Sequence, residues 1–296
     1  METLSPSSFT LDLHIDVPWQ MLKHGAYSLS INQGSKVDVD FPRMKAGGLN
    51  SAFFALYLSD VMQDNMSSEE ALTGILQQVD LLKHQEGCQI VSSVEEALSS
   101  ERVPIFLGLE GGRLIQNSLK QLELFRRLGV RYLTLTHNRN TAWAGSATDS
   151  PKGLASFGRD VIKTCEALGV LVDVSHSSDE TFWDVMKVSS KPLIASHSGC
   201  RALLDHPRNL TDDQIQAIAG TGGVIHIPFA QRFVGAFKAN ILKHIDHVIQ
   251  LVGAEHVGVG SDLDGAAMAS GIDVSQWSAV TNSVSGLNTL KLLEKN

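Results

Sequence analysis

The stretch FTLDLHID, residues 9–16, is an apolar run of strand length that closes on two polar side chains, His14 and Asp16. Successive side chains of a β-strand point to opposite faces, so residues two apart share a face. His14 and Asp16 are therefore expected on one side of the predicted strand. Pro18 follows two residues later and ends the run.

Seven more apolar runs of strand length follow along the chain. They are NSAFFALYL (50–58), VPIFLGLEG (103–111), VRYLTLTHN (130–138), GVLVDVSH (169–176), KPLIASHS (191–198), GGVIHIPF (222–229) and HVGVGSDLDG (256–265). Helical patterns lie between them. One covers residues 67–87, where Ser67 and Ser68 precede Glu70, and another covers residues 211–220, where Thr211 and Gln214 have capping-box spacing.

A strand followed by a helix, repeated eight times, indicates parallel strands with crossover connections. Eight such units in about 250 to 300 residues predict an α/β fold of the (β/α)8 TIM barrel type. The alternative is a doubly wound open sheet, but no GxGxxG motif follows the first strand and no linker divides the chain. We therefore expect a single barrel domain over residues 1–296.

The composition indicates a globular protein with a small-molecule partner. Hydrophobic residues make up 43% of the 296 residues, which is enough for a large core. A net charge of −8 without a run of Lys or Arg argues against nucleic acid or an anionic membrane surface as a partner. Three widely spaced cysteines, Cys88, Cys165 and Cys200, predict neither a disulfide framework nor a cysteine zinc site. The opening METLSPSSFT has no signal-peptide pattern, so we expect a cytoplasmic protein.

Side chains that can bind metals stand at the carboxyl-terminal ends of the runs. They are His14, Asp16, Glu110, His137, His176, His197 and Asp262. In a parallel barrel these ends meet at one mouth, where barrel enzymes place their active sites. Imidazoles and carboxylates without thiolates suit zinc first, with Mn²⁺, Co²⁺ or iron as alternatives. Five or six ligands suffice for two ions about 3.5 to 4 Å apart that share a carboxylate and hold a hydroxide between them.

Other residues of the same types are interpreted as structural. The histidines in predicted helices, loops or strand starts are His24, His84, His206, His244, His247 and His256. His226, in the middle of its run, is expected inside the barrel or against a helix. Trp19 and Trp143 follow strand ends, where each either walls a pocket or packs in the core.

An ordered set of segments resembles the membrane (renal) dipeptidase family, metallopeptidases that belong with the amidohydrolase-like metal-dependent barrels. The segments are DLHIDVP (12–18), FPRMKAGGLNSAFFALYL (41–58), GLEGG (108–112), LTLTHNRNTAWAGSATD (133–149), GLASFGRDVIKTCEALGVLVDVSHSS (153–178), IASHSGCRALLDHPRNLTDDQI (194–215) and HVGVGSDLDG (256–265). The resemblance implies hydrolysis of dipeptides at a pair of zinc ions. By this resemblance His14, Asp16 and Glu110 would bind one zinc, and Glu110, His176 and His197 would bind the other. Glu110 would therefore be shared by the two ions.

The resemblance also implies roles for three more residues. His137 would polarise the scissile carbonyl, Arg208 of HPRNL would hold the substrate carboxylate, and Asp262 would handle the proton of the bridging water. The implied partner is a dipeptide, with neither nucleic acid nor membrane, and a homodimer is left open.

Two departures from the family bear on the substrate and leave the metal ligands intact. After Asp262 the chain is shorter than is usual in the family, and the shortened part, about residues 266–284, borders the mouth. In the seventh run, IPFA (227–230) stands where the family more often has Asn followed by aromatic residues. We therefore expect an open pocket and broad selectivity. The final SVSGLNTLKLLEKN (283–296) still resembles the closing helix of the family.

Two alternative functions stay open at this point. One is a different metal-dependent amide or ester hydrolase on the same barrel, for instance one that acts on N-acyl amino acids. The other is a non-catalytic barrel that binds a metal or ligand, in which the shortened region has spoiled the active site. Dipeptides carry a free ammonium and N-acyl amino acids do not, so assays with both types of substrate distinguish a dipeptidase from the first alternative. Absence of hydrolysis with every substrate favours the second alternative.

Overall fold

One parallel sheet, closed on itself, forms the centre of the protein. The computed structural model describes residues 9–281 and 287–295. Within these residues the strands are β1 (Leu11–Ile15), β2 (Ser51–Leu56), β3 (Cys88–Ile90), β4 (Val103–Glu110), β5 (Val130–Thr134), β6 (Leu171–Asp173), β7 (Ile194–Ala195), β8 (Val224–Ile227) and β9 (Val257–Val259). The order β2-β1-β9-β8-β7-β6-β5-β4 closes through a pairing of β2 with β4.

The predicted TIM barrel is thus confirmed, and its eight strands are the eight apolar runs. The additional strand, β3, pairs with the first residues of β4 and lies outside the closed ring. It was not predicted, because three residues are too few for a recognisable apolar run.

Helices follow the strands along the chain. Within the described residues they are α1 (Val17–His24), α2 (Phe41–Ala46), α3 (Asp60–Asp64), α4 (Ser68–Lys83), α5 (Val94–Ser99), α6 (Leu119–Arg127), α7 (Ser156–Leu168), α8 (Asp179–Val188), α9 (Asp212–Gly220), α10 (Gln231–Val234), α11 (Lys238–Val252), α12 (Ser278–Thr281) and α13 (Leu287–Lys295). The predicted capping box of Thr211 with Gln214 is formed before α9, and Ser67 forms a capping box with Glu70 before α4. Pro18 lies in the first turn of α1, where a backbone N–H has no helical partner to lose.

A β-bulge in β1 turns two successive side chains into the barrel. The stretch Asp12–Ile15 of β1 matches the shorter stretch Ala52–Phe54 of β2, so β1 carries an extra residue there. Leu13 packs in the apolar interior, and His14, the next residue, points inward as well, with its Nδ1 2.8 Å from the hydroxyl of Tyr132. The bulge therefore brings His14 to the mouth without interrupting the core.

Asp12, on β1, makes structural hydrogen bonds and does not point into the mouth of the barrel. Its Oδ2 accepts a hydrogen bond from the indole N–H of Trp277 at 2.8 Å, and its Oδ1 accepts one from the backbone N–H of Ser261 at 2.9 Å. Trp277 lies in the apolar layer between the strands and the helices. Asp12 thus ties β1 to the segment that follows β9.

Aromatic rings fill the barrel, and α13 covers them beside the amino-terminal ends of the strands. The ring centroid of Phe53 lies 5.0 Å from that of Phe106 and 5.2 Å from that of Tyr132. Three leucines of α13 pack in the same cluster as these rings: Leu290, Leu292 and Leu293. The predicted closing helix is present as α13, and residues 283–286 and 296 of that prediction lie outside the described residues.

His226 lies inside the barrel, as predicted, and serves the fold. Its Nδ1 donates to the carbonyl oxygen of Ala195 at 2.9 Å, and its Nε2 lies 2.8 Å from the hydroxyl oxygen of Thr289. Burial lowers the pKa of His226 to about 3, so the ring is neutral. This pair of bonds joins β8 to its neighbouring strand and to α13.

Three further observations concern the environment of the chain. All three cysteines are buried and free of disulfides. None of the described helices combines the length and the apolarity needed to cross a bilayer. Residues 1–8, which make up most of the METLSPSSFT stretch, lie outside the described residues, and the cytoplasmic location stays a prediction.

We expect Gly108→Ala to destabilise the protein and to disturb the mouth. A Cβ at this position would lie 2.0 Å from Cζ of Tyr132, so the ring that supports His14 must move. Overpacking of this kind costs about 1–3 kcal/mol of unfolding free energy. Chemical denaturation measures the change, and Gly220→Ala, where the added Cβ meets nothing within 4 Å, is the matched control. Equal unfolding free energies for the two variants would contradict this packing argument.

Candidate metal centre and active site

The carboxyl-terminal ends of the strands surround a cavity of about 200 Å³. Six of the seven side chains predicted to meet there line it: Asp16, Glu110, His137, His176, His197 and Asp262. The seventh, His14, is fully buried directly behind the lining residues. The positional rule for parallel barrels, applied to the sequence, therefore identified residues that the fold does bring together.

Glu110, the last residue of β4, lies at the centre of the cluster. Its Oε1 faces Nε2 of His176 at 3.1 Å, Nε2 of His197 at 3.5 Å and Nε2 of His14 at 3.6 Å. On the other side of His14, Oδ2 of Asp16 lies 3.6 Å from the same Nε2. The five predicted metal ligands thus form one continuous group around a single carboxylate.

The spacing of these atoms suits bound cations. Ligands about 2.0–2.2 Å from a tetrahedral ion lie about 3.3–3.6 Å from one another. The Nε2 atoms of His176 and His197 are 2.9 Å apart, and Nε2 of His14 is buried with no hydrogen-bond partner among the described residues. A divalent metal satisfies these nitrogens together, and the set of imidazoles and carboxylates is the set that such ions bind.

Two further side chains reach the same cluster. Ligand atoms of His137, Glu110 and His176 lie within 4.8 Å of one another, and so do those of Asp262, His14 and Asp16. His137 and Asp262 therefore border the two ends of the ligand group. This is where residues that act on a substrate next to the metals would stand.

The protonation of the imidazoles follows from what surrounds them. Burial lowers the pKa of His14, but the carboxylates of Glu110 and Asp16 outweigh it and raise the pKa to about 10. Burial, together with the charge of Arg208, lowers the pKa of His176 well below its usual value, and burial lowers that of His197 likewise. His176 and His197 are thus neutral, as metal ligands must be, and a cation at His14 would displace a proton.

A buried network behind His197 fixes which of its nitrogens carries hydrogen. The hydroxyl of Ser196 lies 2.6 Å from Oδ2 of Asp173 and 2.8 Å from Nδ1 of His197. Because a carboxylate only accepts, Ser196 donates to Asp173 and accepts from Nδ1–H of His197. The lone pair of Nε2 is then free to face the cluster, which is the arrangement found behind metal-binding histidines.

Tyr132 plays the corresponding part behind His14. Its hydroxyl accepts from Nδ1 of His14 at 2.8 Å, and its ring is held by Phe53. The hydroxyl stays protonated, since burial and the nearby carboxylates raise its pKa well above the usual value. The orientation of His14 thus depends on the aromatic core of the barrel.

Asp60 supports His137 and was not predicted. Oδ2 of Asp60 lies 2.7 Å from Nδ1 of His137, and Asp60 in turn is 3.6 Å from the guanidinium of Arg113. The carboxylate accepts a hydrogen bond from Nδ1–H, so Nε2 of His137 is directed toward the cavity. Asp60 follows β2 closely, so the positional rule that identified Glu110 after β4 could also have identified it.

The backbone is strained at two of the functional positions. His176 and Asp262 adopt left-handed conformations, with φ of 67° and 64°. Residues other than glycine are uncommon there, and such conformations concentrate at functional sites. The backbone N–H of Asp262 donates to the carbonyl oxygen of His14 at 2.9 Å, which holds the turn against β1. Burial and the neighbouring Asp16 raise the pKa of Asp262 well above its usual value.

Arg208 is buried beside the cluster and does not line the cavity. It is 3% exposed, and its guanidinium donates to the carbonyl oxygen of His197 at 3.2 Å and to the hydroxyl of Ser198 at 3.4 Å. Its Nε has no hydrogen-bond partner among the described residues. Arg232, which was not predicted as a site residue, does line the cavity.

The two tryptophans have different places. Trp19 lines the cavity, where its ring meets that of Tyr57 edge to face at 5.3 Å. Trp143 is buried in the outer apolar layer and does not line it. Of the two alternatives left open by the sequence, Trp19 lies in the pocket wall and Trp143 packs in the core.

A closed parallel barrel with imidazoles and carboxylates around its mouth has the ligand types and the position of a metal-binding barrel site. The model of one family, described as membrane dipeptidase (peptidase family M19), matches residues 1–288, and the chain belongs to this family. Dipeptidase 3 from Macaca fascicularis is 32% identical over 277 residues, and Dipeptidase 3 from Homo sapiens is 32% identical over 280 residues. These matches cover 86% and 87% of this chain but 55% and 56% of the relatives, so the chain spans just over half the length of the curated relatives it matches.

Solved structures give the same family. A metallopeptidase from Rhodobacter sphaeroides, liganded with a phosphinate mimic of the dipeptide L-Ala-D-Ala, has a TM-score of 0.87 and 27% identity. The M19 metallopeptidase dipeptidase AC has a TM-score of 0.86 and 27% identity. Each alignment covers 97% of this chain and 98% of the other. The resemblance on which the sequence analysis rested is confirmed.

We expect Tyr132→Phe to weaken metal binding about 10–100-fold, the usual effect of removing a hydrogen-bond partner of a metal ligand. The ring and its packing against Phe53 remain, so the change is confined to the bond with His14. Competition with a chromophoric chelator measures the affinity, and Tyr27→Phe is the control, because the hydroxyl of Tyr27 has no hydrogen-bond partner among the described residues. An unchanged affinity for Tyr132→Phe would show that packing alone orients His14.

Proposed function

We propose that this protein is a zinc-dependent dipeptidase that hydrolyses the single amide bond of a dipeptide. The observation that carries the proposal is the convergence of three Nε2 atoms on Oε1 of Glu110 within 3.6 Å. Membership of the membrane dipeptidase family supports the substrate class. The small cavity suits a ligand of dipeptide size.

Two metal ions per chain fit the ligand set best. His14, Asp16 and Glu110 would hold one, and Glu110 would share the other with His176 and His197. Bound divalent ions would supply Lewis acidity and lower the pKa of the attacking water toward neutrality, so that a hydroxide is available as the nucleophile. Zinc is the first choice for this ligand set, with Mn²⁺ and Co²⁺ as alternatives.

His137 and Asp60 would act on the substrate carbonyl. The carboxylate of Asp60 accepts a hydrogen bond from Nδ1–H of His137 and so fixes the orientation of the ring. Nε2 of His137 is then presented to the cavity, where it can donate to the carbonyl oxygen as negative charge develops on it. In this role Asp60 is a positioning residue, since it reaches the substrate only through His137.

Asp262 and Arg208 would complete the machinery. A buried carboxylate with a raised pKa, next to the ligands, can take a proton from the nucleophile and deliver it to the leaving amine. The guanidinium of Arg208 offers a planar fork that suits a free carboxylate, and its unpartnered Nε is available for one more bond. Binding the terminal carboxylate at a set distance from the ligands restricts the reaction to short peptides.

Elemental analysis of the metal-saturated protein should give about two ions per chain, because five ligands around a shared carboxylate exceed the needs of one tetrahedral ion. Glu110→Gln should reduce this number to about one or less. Glu123→Gln, the same chemical change on the exposed face of α6, should leave it unchanged. One ion per chain in both the parent and Glu110→Gln would remove the bridging role.

A substrate panel tests the activity itself. Metal-saturated protein is assayed with dipeptides, including some with D-residues, and with N-acyl amino acids that lack a free ammonium. Hydrolysis of the dipeptides supports the proposal. Hydrolysis of the N-acyl compounds alone makes the protein a different amide hydrolase, and a complete lack of turnover makes it a binding barrel.

The two variants Arg208→Met and Asp262→Asn should separate kinetically. Arg208→Met loses a charge-assisted contact with the substrate carboxylate and should raise KM strongly. Asp262→Asn loses proton transfer and should lower kcat by about 10²–10⁴-fold. Metal content is measured in both, so that loss of metal is not mistaken for loss of chemistry. If Arg208→Met retains the KM of the parent, the carboxylate is bound elsewhere.

A further inference from the structure

The cavity contains an arginine that has no carboxylate partner. Arg232, in the short helix α10, lines the cavity on its exposed side. Among residues 9–281 and 287–295 no carboxylate lies within ion-pair distance of its guanidinium. Two other arginines near this rim differ in this respect, since Arg113 and Arg139 both pair with Asp64. A positive charge at the cavity is thus available to a ligand.

The position of Arg232 is determined by the chain on both sides. The backbone N–H of Gln231 donates to the carbonyl oxygen of Ala267 at 2.9 Å, and Ala230 forms a β-bridge with Met268. These contacts attach the start of α10 to the shortened segment that follows β9. At the other side Phe233, which is 3% exposed, anchors the helix in the core. The backbone that carries Arg232 is therefore held at the mouth.

The ring of Phe233 contacts both Arg232, which lines the cavity, and Arg208, which is buried beside it. The guanidinium carbon of Arg232 lies 4.7 Å from the ring centroid of Phe233, and that of Arg208 lies 5.1 Å from it. Both distances are within the range of a cation–π contact. Two guanidinium groups of like charge around one ring are suited to a ligand with two negative groups close together.

We propose that Arg232 selects dipeptides whose carboxyl-terminal residue has an acidic side chain. This inference rests on the proposed function, in which Arg208 binds the terminal carboxylate. The side-chain carboxylate of an Asp or Glu at that residue is only a few bonds away, and Arg232 is the neighbouring unpaired cation. Three acidic side chains line the cavity together with Arg232: Asp16, Glu110 and Asp262. Asp16 and Glu110 face the imidazole of His14. The charge of Arg232 acts on Asp262 electrostatically, but the two side chains form no ion pair.

The isosteric peptides Ala-Glu and Ala-Gln test this proposal, because they differ by one charge at nearly equal size. The parent protein should have a kcat/KM about tenfold higher for Ala-Glu, as expected for one charge-assisted contact. Arg232→Met should bring the ratio close to one, and Arg232→Lys should give an intermediate ratio. Arg127→Met, the same change at the exposed end of α6 far from the mouth, is the control and should keep the parent ratio. Added salt should lower the parent ratio, because an exposed charge is screened.

Equal ratios in the parent and in Arg232→Met would overturn the proposal. So would a preference that moves to the first residue, seen as a larger difference between Glu-Ala and Gln-Ala. If the metal-saturated parent hydrolyses no dipeptide, the proposed function fails, and calorimetric binding of Ala-Glu and Ala-Gln then provides the answer. Tighter binding of Ala-Glu that is lost in Arg232→Met supports the acidic selectivity, and equal binding of the two peptides refutes it.

Discussion

The arrangement of side chains at the mouth of this barrel depends on how the negative charge of one buried carboxylate, that of Glu110, is compensated. Glu110 is 4% exposed, and a charge removed from water to that degree costs several kcal/mol unless an opposite charge accompanies it. Neutral imidazoles do not provide that charge, and their Nε2 lone pairs would face an oxygen that repels them. Either protons or cations must stand between these atoms. A proton on His14, whose pKa is raised, compensates the charge in one way. Divalent metals would compensate it in another and would bind the imidazole nitrogens as well.

Packing inside the barrel positions the side chains that surround Glu110. His14 is directed by Tyr132, the ring of Tyr132 rests where Gly108 leaves room for it, and Gly108 lies two residues before Glu110 on β4. The same strand thus supplies the central carboxylate and the space for the residue that orients one of its partners. Packing and chemistry are coupled here, because a change of one methyl group in the core acts on the position of a ligand.

The strands and the candidate metal ligands could be predicted because both are local features of the sequence. An apolar run that ends in His, Asp or Glu is visible in about ten residues, and the topology of a parallel barrel then places all such ends at one mouth. The same rule would have included Asp60 after β2 and Arg232 after β8, had every run been followed a few residues further. The bulge in β1 could not be predicted, since it exists only in the register with β2. The partnership of His14 with Tyr132 joins residues 118 positions apart and leaves no local pattern.

The structure separates the parts that would perform the chemistry from the parts that would choose the substrate. The candidate ligands stand at or just after strand ends and are buried, so each is held by the barrel itself. Arg232 stands on a four-residue helix that is attached to the segment after β9. A change in such a connection can move or replace a cation at the mouth while the metal ligands keep their places. Selectivity can therefore change in this fold at little cost to the metal centre, whereas a change at Glu110 would alter every one of its partners.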